Sequence, residues 1–230
     1  MNASSAMWYP NIKQLSANFQ VFAIDLLVEP GKSAPNVEIE DTQMLMQWYK
    51  AIFDTLKIER FGLIGASKGG WLATKLAMYQ PQQVEKLILL SPAQTFIWIP
   101  PDRALLSNLI YEMAPNRRRL EKLFSQMSTH PKQIAPAFVE LFHQATRISS
   151  LDKMLMEMQP FSKDELKQMD MPVLVLIGDN DIINNARSLD RANEYLPNVQ
   201  THMIKDAGHF LSLDRAEHVS KIILRFLACN

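Results

Sequence analysis

The sequence predicts an α/β fold: a mostly parallel sheet with flanking helices and a helical cap insertion. Three observations carry this. Short apolar runs bounded by turn residues alternate with stretches of helical period, the rhythm of strands joined by helical crossovers. One such run ends in Gly65-Ala66-Ser67-Lys68-Gly69-Gly70 and passes directly into a helical pattern, Trp71-Leu72-Ala73-Thr74-Lys75-Leu76. Between Gln94 and Gln168 the alternation stops, and helical patterns follow one another with no strand-like run.

Taken in order, the candidate strands are 21–27, 61–65, 87–90, 173–177 and 201–205. Asp41 is placed to cap a helix whose apolar stripe is Leu45, Trp48, Ile52 and Leu56. The helix after Ser67 runs to about Gln80 and stops before Pro81. Residues 186–195 and 215–227 read as a crossover and a terminal helix. The domain reading is therefore a core of 1–93 and 169–230, with 94–168 as a helical cap over the C-terminal strand ends, where ligands bind in open α/β sheets. The stripes of the cap are Leu105, Leu109, Met113, then Leu120, Leu123, Phe124, Met127, then Phe138, Leu141, Phe142, Ala145. Its further methionines and aromatics include Phe96, Trp98, Met154, Met156, Met158 and Phe161. Most of these belong to its own core, and the remainder line an apolar substrate pocket.

Composition narrows the function. The 230 residues hold 24 Lys+Arg and 24 Asp+Glu, so no net field draws in nucleic acid or an anionic membrane. The run Arg117-Arg118-Arg119 reads as a solvated helix face. A single cysteine, Cys229, excludes a disulfide framework, and no secretory signal or membrane-length apolar run is present. The expectation is a soluble, cytoplasmic protein with no nucleic-acid or membrane partner; its oligomeric state is unknown. Gly31-Lys32-Ser33 resembles the tail of a phosphate-binding loop, but Leu26 stands where the leading glycine belongs. The histidines are scattered, so no metal and no cofactor is expected.

The chemistry concentrates at Gly-x-Ser-x-Gly. A serine at a sharp strand-to-helix corner is held clear of the chain, with a helix N-terminus facing the reacting carbonyl. Glycines two residues to either side admit the tight turn. A serine hydroxyl needs a base and an orienting acid, which follow this motif in the order Asp or Glu, then His. Among five histidines, His130 and His143 fall in the insertion, His202 in a strand pattern and His218 in the last helix. His209 follows a strand, in Asp206-Ala207-Gly208-His209-Phe210, and is the base expected to reach Ser67. The apolar run 173–177 opens into Gly178-Asp179-Asn180-Asp181, which offers two carboxylates at the same sheet edge.

These motifs, with Met7-Trp8-Tyr9-Pro10 and Asp25…Gly31-Lys32-Ser33, resemble the α/β-hydrolase superfamily across essentially the whole chain. The resemblance is nearest to small bacterial carboxylesterase-like members with a helical cap. It implies Asp181 rather than Asp179 as the acid, because the family places it three residues after the glycine. It also implies the Lys68 amide as an oxyanion donor. The family's opening strands and its His-Gly oxyanion loop are missing from this sequence, so the resemblance is to an N-terminally shortened fold. Segment 21–27 then either moves across and pairs with 61–65 or stays in place and leaves a gap filled by another chain or by water. The cost of buried, unpaired amides disfavours an empty gap, so the shift is expected, with weak esterase activity and low stability. The family commonly has an uncharged side chain where this chain has Lys68, which either assists the oxyanion, opposes protonation of His209, or is solvated.

The implied function is a serine hydrolase cleaving a small apolar ester or other acyl substrate through Ser67, His209, Asp181 and an acyl-enzyme. Amide or carbon–carbon bond hydrolysis fits the same residues. The alternative is a catalytically impaired or ligand-binding relative lacking a complete oxyanion hole. Relatives with an aspartate nucleophile are disfavoured by Ser67.

Overall fold

The computed structural model of the chain describes residues 4–27, 29–34, 38–99, 103–149 and 157–228. Four strands form one sheet in the order β1 (Phe61–Ala66), β2 (Val84–Leu90), β3 (Val173–Gly178), β4 (Val199–Ile204), and every neighbouring pair is parallel. Parallel strands need crossovers, and helices supply them. Among the described residues the helices are α1 (Ile12–Ser16), α2 (Thr42–Leu56), α3 (Lys68–Tyr79), α4 (Arg103–Met113), α5 (Arg117–Met127), α6 (Pro136–Ile148), α7 (Lys163–Lys167), α8 (Ala186–Tyr195), α9 (Leu211–Asp214) and α10 (Ala216–Ala228). Of these, α3 joins β1 to β2, α4 to α7 lie between β2 and β3, and α8 joins β3 to β4.

The central strands are apolar on both faces because both faces are covered. Leu87, Leu89, Val173, Val175 and Ile177 pack into one cluster with α2, α3 and the helices between β2 and β3. Their alternates, Ile88, Leu90, Leu174 and Leu176, pack with Leu15, Val219, Ile223 and Phe226 on the other face. Period two in the strands thus distributes the side chains between two cores.

Asp41 caps α2 through its carboxylate, which accepts the Met44 amide at 2.8 Å. The buried face of α2 is Leu45, Met46, Tyr49 and Phe53, while Leu56 is exposed. The helix is therefore rotated from the expected stripe: Tyr49 and Phe53 are buried, and Trp48 and Ile52 are only partly buried against the same core.

Segment 21–27 departs from expectation. It runs without strand pairing and stays apart from β1. A cavity of about 1160 Å³ separates them, lined by Val21, Ala23 and Ile24 on one side and by Phe61, Leu63 and Gly65 on the other. Two physical reasons account for this. The Asp25 carboxylate accepts the amides of Ser5 (2.6 Å) and Lys32 (2.7 Å), which fixes the segment away from the sheet. Most of β1 is only partly buried, so its outer edge can be hydrated and the expected cost of buried, unpaired amides does not arise.

The described part of the 94–168 stretch is helical. Asn116 caps α5 by accepting the Arg119 amide at 3.0 Å, and exposed Arg117 pairs with Glu140. Phe96, Met158 and Phe161 join the main core, Trp98 is 62% exposed, and Met154 and Met156 lie outside the described residues. Trp71 of α3 donates to the Gln159 carbonyl at 2.9 Å and stacks on Phe161, which anchors the returning end of this stretch beside the elbow helix.

Candidate active site

Ser67 sits between β1 and α3 with φ 51° and ψ −122°, a conformation that a side chain adopts only under constraint. The constraint comes from β2 and the loop after it. The Ser67 amide donates to the Leu90 carbonyl at 3.0 Å, and the Ser67 carbonyl accepts the Ala93 amide at 3.0 Å. A methyl at Gly65 would fall 2.3 Å from the Gly69 carbonyl oxygen, and one at Gly70 would fall 2.7 Å from Pro92 Cβ. At Gly69 it would meet nothing within 4 Å. The tight turn therefore depends on Gly65 and Gly70, not on the second glycine of the Gly-x-Ser-x-Gly pattern.

His209 lies between Ser67 and Asp181. Its Nδ1 is 2.9 Å from Asp181 Oδ1, and its Nε2 is 2.8 Å from Ser67 Oγ. An ionised carboxylate only accepts, so Nδ1 carries the proton and Nε2 is left to accept the serine hydroxyl. The side chains of His209 and Asp181 are both fully enclosed. Burial by itself raises the Asp181 carboxyl; attraction to His209, their hydrogen bond and the Ile183 amide outweigh it, and the carboxyl ends below its ordinary range. Ile183 donates to Asp181 Oδ1 at 2.8 Å, and the Asn184 amide group to Oδ2 at 3.2 Å.

Asp179 has a different task. Its Oδ1 accepts the Ala207 amide at 3.2 Å and the Asn180 side chain at 2.7 Å, tying the loop after β3 to the loop that carries His209. The other histidines are elsewhere. His130 meets Asp206 at 2.9 Å, His143 meets the Tyr111 hydroxyl at 3.0 Å, and His202 and His218 are exposed.

Lys68 is the first residue of α3, at the positive end of the helix. Its side chain is 8% exposed, and its Nζ stands 2.5 Å from Glu29 Oε1, itself in a side chain 7% exposed. Of the fates expected for this side chain, the solvated one is contradicted. The cation is buried and matched by a carboxylate from the loop after Asp25. Tyr49 lies close to the same carboxylate, and burial, reinforced by Glu29, pushes its phenol well up and keeps it neutral. Glu29 has no sequence signal pointing to Lys68; only the path of the segment beyond Asp25 brings it there.

Ser67, Lys68, Leu72, His209 and Phe210 all line the large cavity, together with Met7 and Trp8. Among the described residues, the space beside the serine is walled by the N-terminal segment and the elbow helix.

Comparison with known proteins gives one family match, serine aminopeptidase, S33 (Hydrolase_4), over residues 12–216. Carboxylesterase YbfK of Bacillus subtilis is 29% identical over 97% of this chain and 76% of its own length. The crystal structure of naproxen esterase (carboxylesterase NP) from Bacillus subtilis superposes with a TM-score of 0.89 at 28% identity, covering 98% of this chain and 80% of that one. A meta-cleavage product hydrolase from Pseudomonas fluorescens, 19% identical with a TM-score of 0.84 over 99% of this chain and 88% of its own, shares the fold.

Proposed function

The chain belongs to the serine aminopeptidase S33 family and is a hydrolase, and on that premise we propose that it cleaves small apolar carboxylic esters through Ser67, His209 and Asp181. The observation that carries the proposal is the position of His209, within 2.9 Å of Asp181 and 2.8 Å of Ser67 at once.

In this reading Ser67 Oγ attacks the ester carbonyl as His209 Nε2 takes its proton. Asp181 holds the Nδ1–H and stabilises the imidazolium that forms. The Lys68 amide, at the positive end of α3, donates to the oxyanion. His209 returns the proton to the departing alkoxide, which leaves as the alcohol. Water then attacks the acyl-enzyme with His209 again as base, and Ser67 recovers its proton.

An ester rather than a peptide is favoured by the relatives named carboxylesterase and naproxen esterase. An apolar acyl or alcohol part is favoured by Met7, Trp8, Leu72 and Phe210 along the cavity wall. The helices within 94–168 act as the cap, a role supported by the Phe210 amide donating to the Met127 carbonyl at 2.9 Å. Among the described residues no helix is long and apolar enough to cross a membrane, and the single cysteine suits a reducing cytoplasm.

The test is a substrate panel: p-nitrophenyl esters of increasing acyl length beside aminoacyl p-nitroanilides. Turnover of short and medium esters that exceeds anilide turnover is the expected pattern. Preference for the anilides would replace the esterase reading with a peptidase one.

A further inference from the structure

Asp181 fixes the imidazole of His209, but something else must fix the backbone that carries it. The loop 206–210 joins β4 to α9, and Asp214 closes back on it from the last position of α9. Asp214 is 8% exposed, and its carboxylate gathers donors from two separate parts of the fold. Oδ2 accepts the Gly208 amide at 2.7 Å and the Thr129 amide at 3.0 Å. Oδ1 accepts the Ser128 hydroxyl and, at 3.4 Å, the His130 amide. Gly208 is the residue before His209; Ser128, Thr129 and His130 form the turn that leaves α5. The two segments are in close contact, since a methyl at Gly208 would fall 2.6 Å from the Met127 carbonyl oxygen. The Phe124 and Phe210 rings, 5.5 Å apart and edge to face, complete the contact.

We propose that Asp214 is a positioning residue for His209, locking the backbone before the histidine to the turn after α5, so that the placement of the helical insertion sets the reach of His209 to Ser67. The proposal rests on the serine-hydrolase reading above. Its physical basis is leverage. Amide donors on an ionised carboxylate make strong, directional bonds, and Gly208 can scarcely move without carrying the Cα of His209 with it. A proton transfer that works at 2.8 Å between Ser67 and His209 tolerates little displacement.

Three variants test it, each compared with the parent well below its melting midpoint. The readouts are the rate of Ser67 labelling by a fluorophosphonate, and kcat and KM for p-nitrophenyl butyrate. Asp214→Ala should slow labelling and lower kcat by about tenfold to a hundredfold, with KM within about threefold, as expected for a displacement of the order of 1 Å at a proton-transfer step. Asp214→Asn should recover most of that loss. Its amide oxygen can still accept from Gly208 and Thr129, while its NH₂ donates to Ser128 Oγ, which already accepts the His130 amide at 3.0 Å. Ser128→Ala, the mildest change, should slow labelling about threefold with circular dichroism unchanged. It decides the matter if Asp214→Ala does not fold. Variants that melt earlier yet label and turn over at the parent rate would overturn the positioning role and leave Asp214 as an ordinary structural contact. A folded parent that is not labelled at all would instead remove the serine reading, and this proposal with it.

Discussion

Lys68 and Glu29 form an ion pair 2.5 Å across, immediately beside the candidate nucleophile, with both side chains less than a tenth exposed. A buried pair of this kind is costly to break from one side, because the surviving charge is left without a partner. Lys68→Met alone and Glu29→Gln alone should each lower unfolding free energy, Lys68→Met by about 3–5 kcal/mol, the usual cost of an orphaned buried charge. The double variant Lys68→Met/Glu29→Leu should be more stable than Lys68→Met. Urea unfolding of the set settles it, and equal stability of the parent and Lys68→Met would show that the pair is solvated in solution.

The glycines of the elbow are unequal. Gly65→Ala and Gly70→Ala should unfold early or fail to express, since each methyl meets fixed atoms within 3 Å. Gly69→Ala lies on an open helix face and should be neutral or stabilising by up to about 1 kcal/mol, through lost freedom of the unfolded chain. A thermal melt of the three ranks them, and Gly69→Ala emerging as the most damaging would contradict the structure.

The two carboxylates after β3 should separate on turnover. Asp181→Asn should lower kcat by about a thousandfold or more, because an amide cannot hold the same histidine tautomer. Asp179→Asn only loosens the loop and should cost about tenfold or less, the scale of a small misplacement. Steady-state kinetics on the pair distinguish them, and the reverse order would move the acid to Asp179.

Asp25 links acidity to the N-terminal segment. Burial raises its carboxyl, but the Lys32 and Ser5 amides outweigh that and set it below its ordinary value. A depressed acid stabilises the fold fully above its unfolded value of about 4, and the contribution is lost as pH falls through the lower folded value. The stability gap between parent and Asp25→Asn should therefore be widest near neutrality and narrow below about pH 4. A gap that widens on acidification would mean that Asp25 is protonated in the fold.

Much of the core was legible because its signals are local. Runs bounded by turn residues marked β1, β2, β3 and β4, and Asp41 marked the start of α2 at its observed cap. The order of the motif loops singled out Ser67, His209 and the Asp179/Asp181 loop, and the family resemblance chose Asp181; the fold brings Ser67, His209 and Asp181 within hydrogen-bonding distance. What the sequence hid depends on partners distant along the chain. Segment 21–27 has the composition of a strand, but pairing needs a neighbour within reach, and Asp25 holds the segment elsewhere. The rotation of α2 sets which aromatics meet the core, which periodicity alone does not rank. The Lys68–Glu29 pair and the Asp214 clamp each join segments with no shared motif, and only the packed chain reveals them.

The most direct test of the central claim is to identify the labelled residue. The parent is treated with a fluorophosphonate, digested and read by mass spectrometry, beside hydrolysis of p-nitrophenyl butyrate by the parent and Ser67→Ala. A single adduct on Ser67 is expected, with a loss of about a thousandfold or more in kcat for Ser67→Ala, as when a triad nucleophile is removed. An active parent whose adduct lies on another residue, or a Ser67→Ala variant that keeps most of the activity, would contradict that claim.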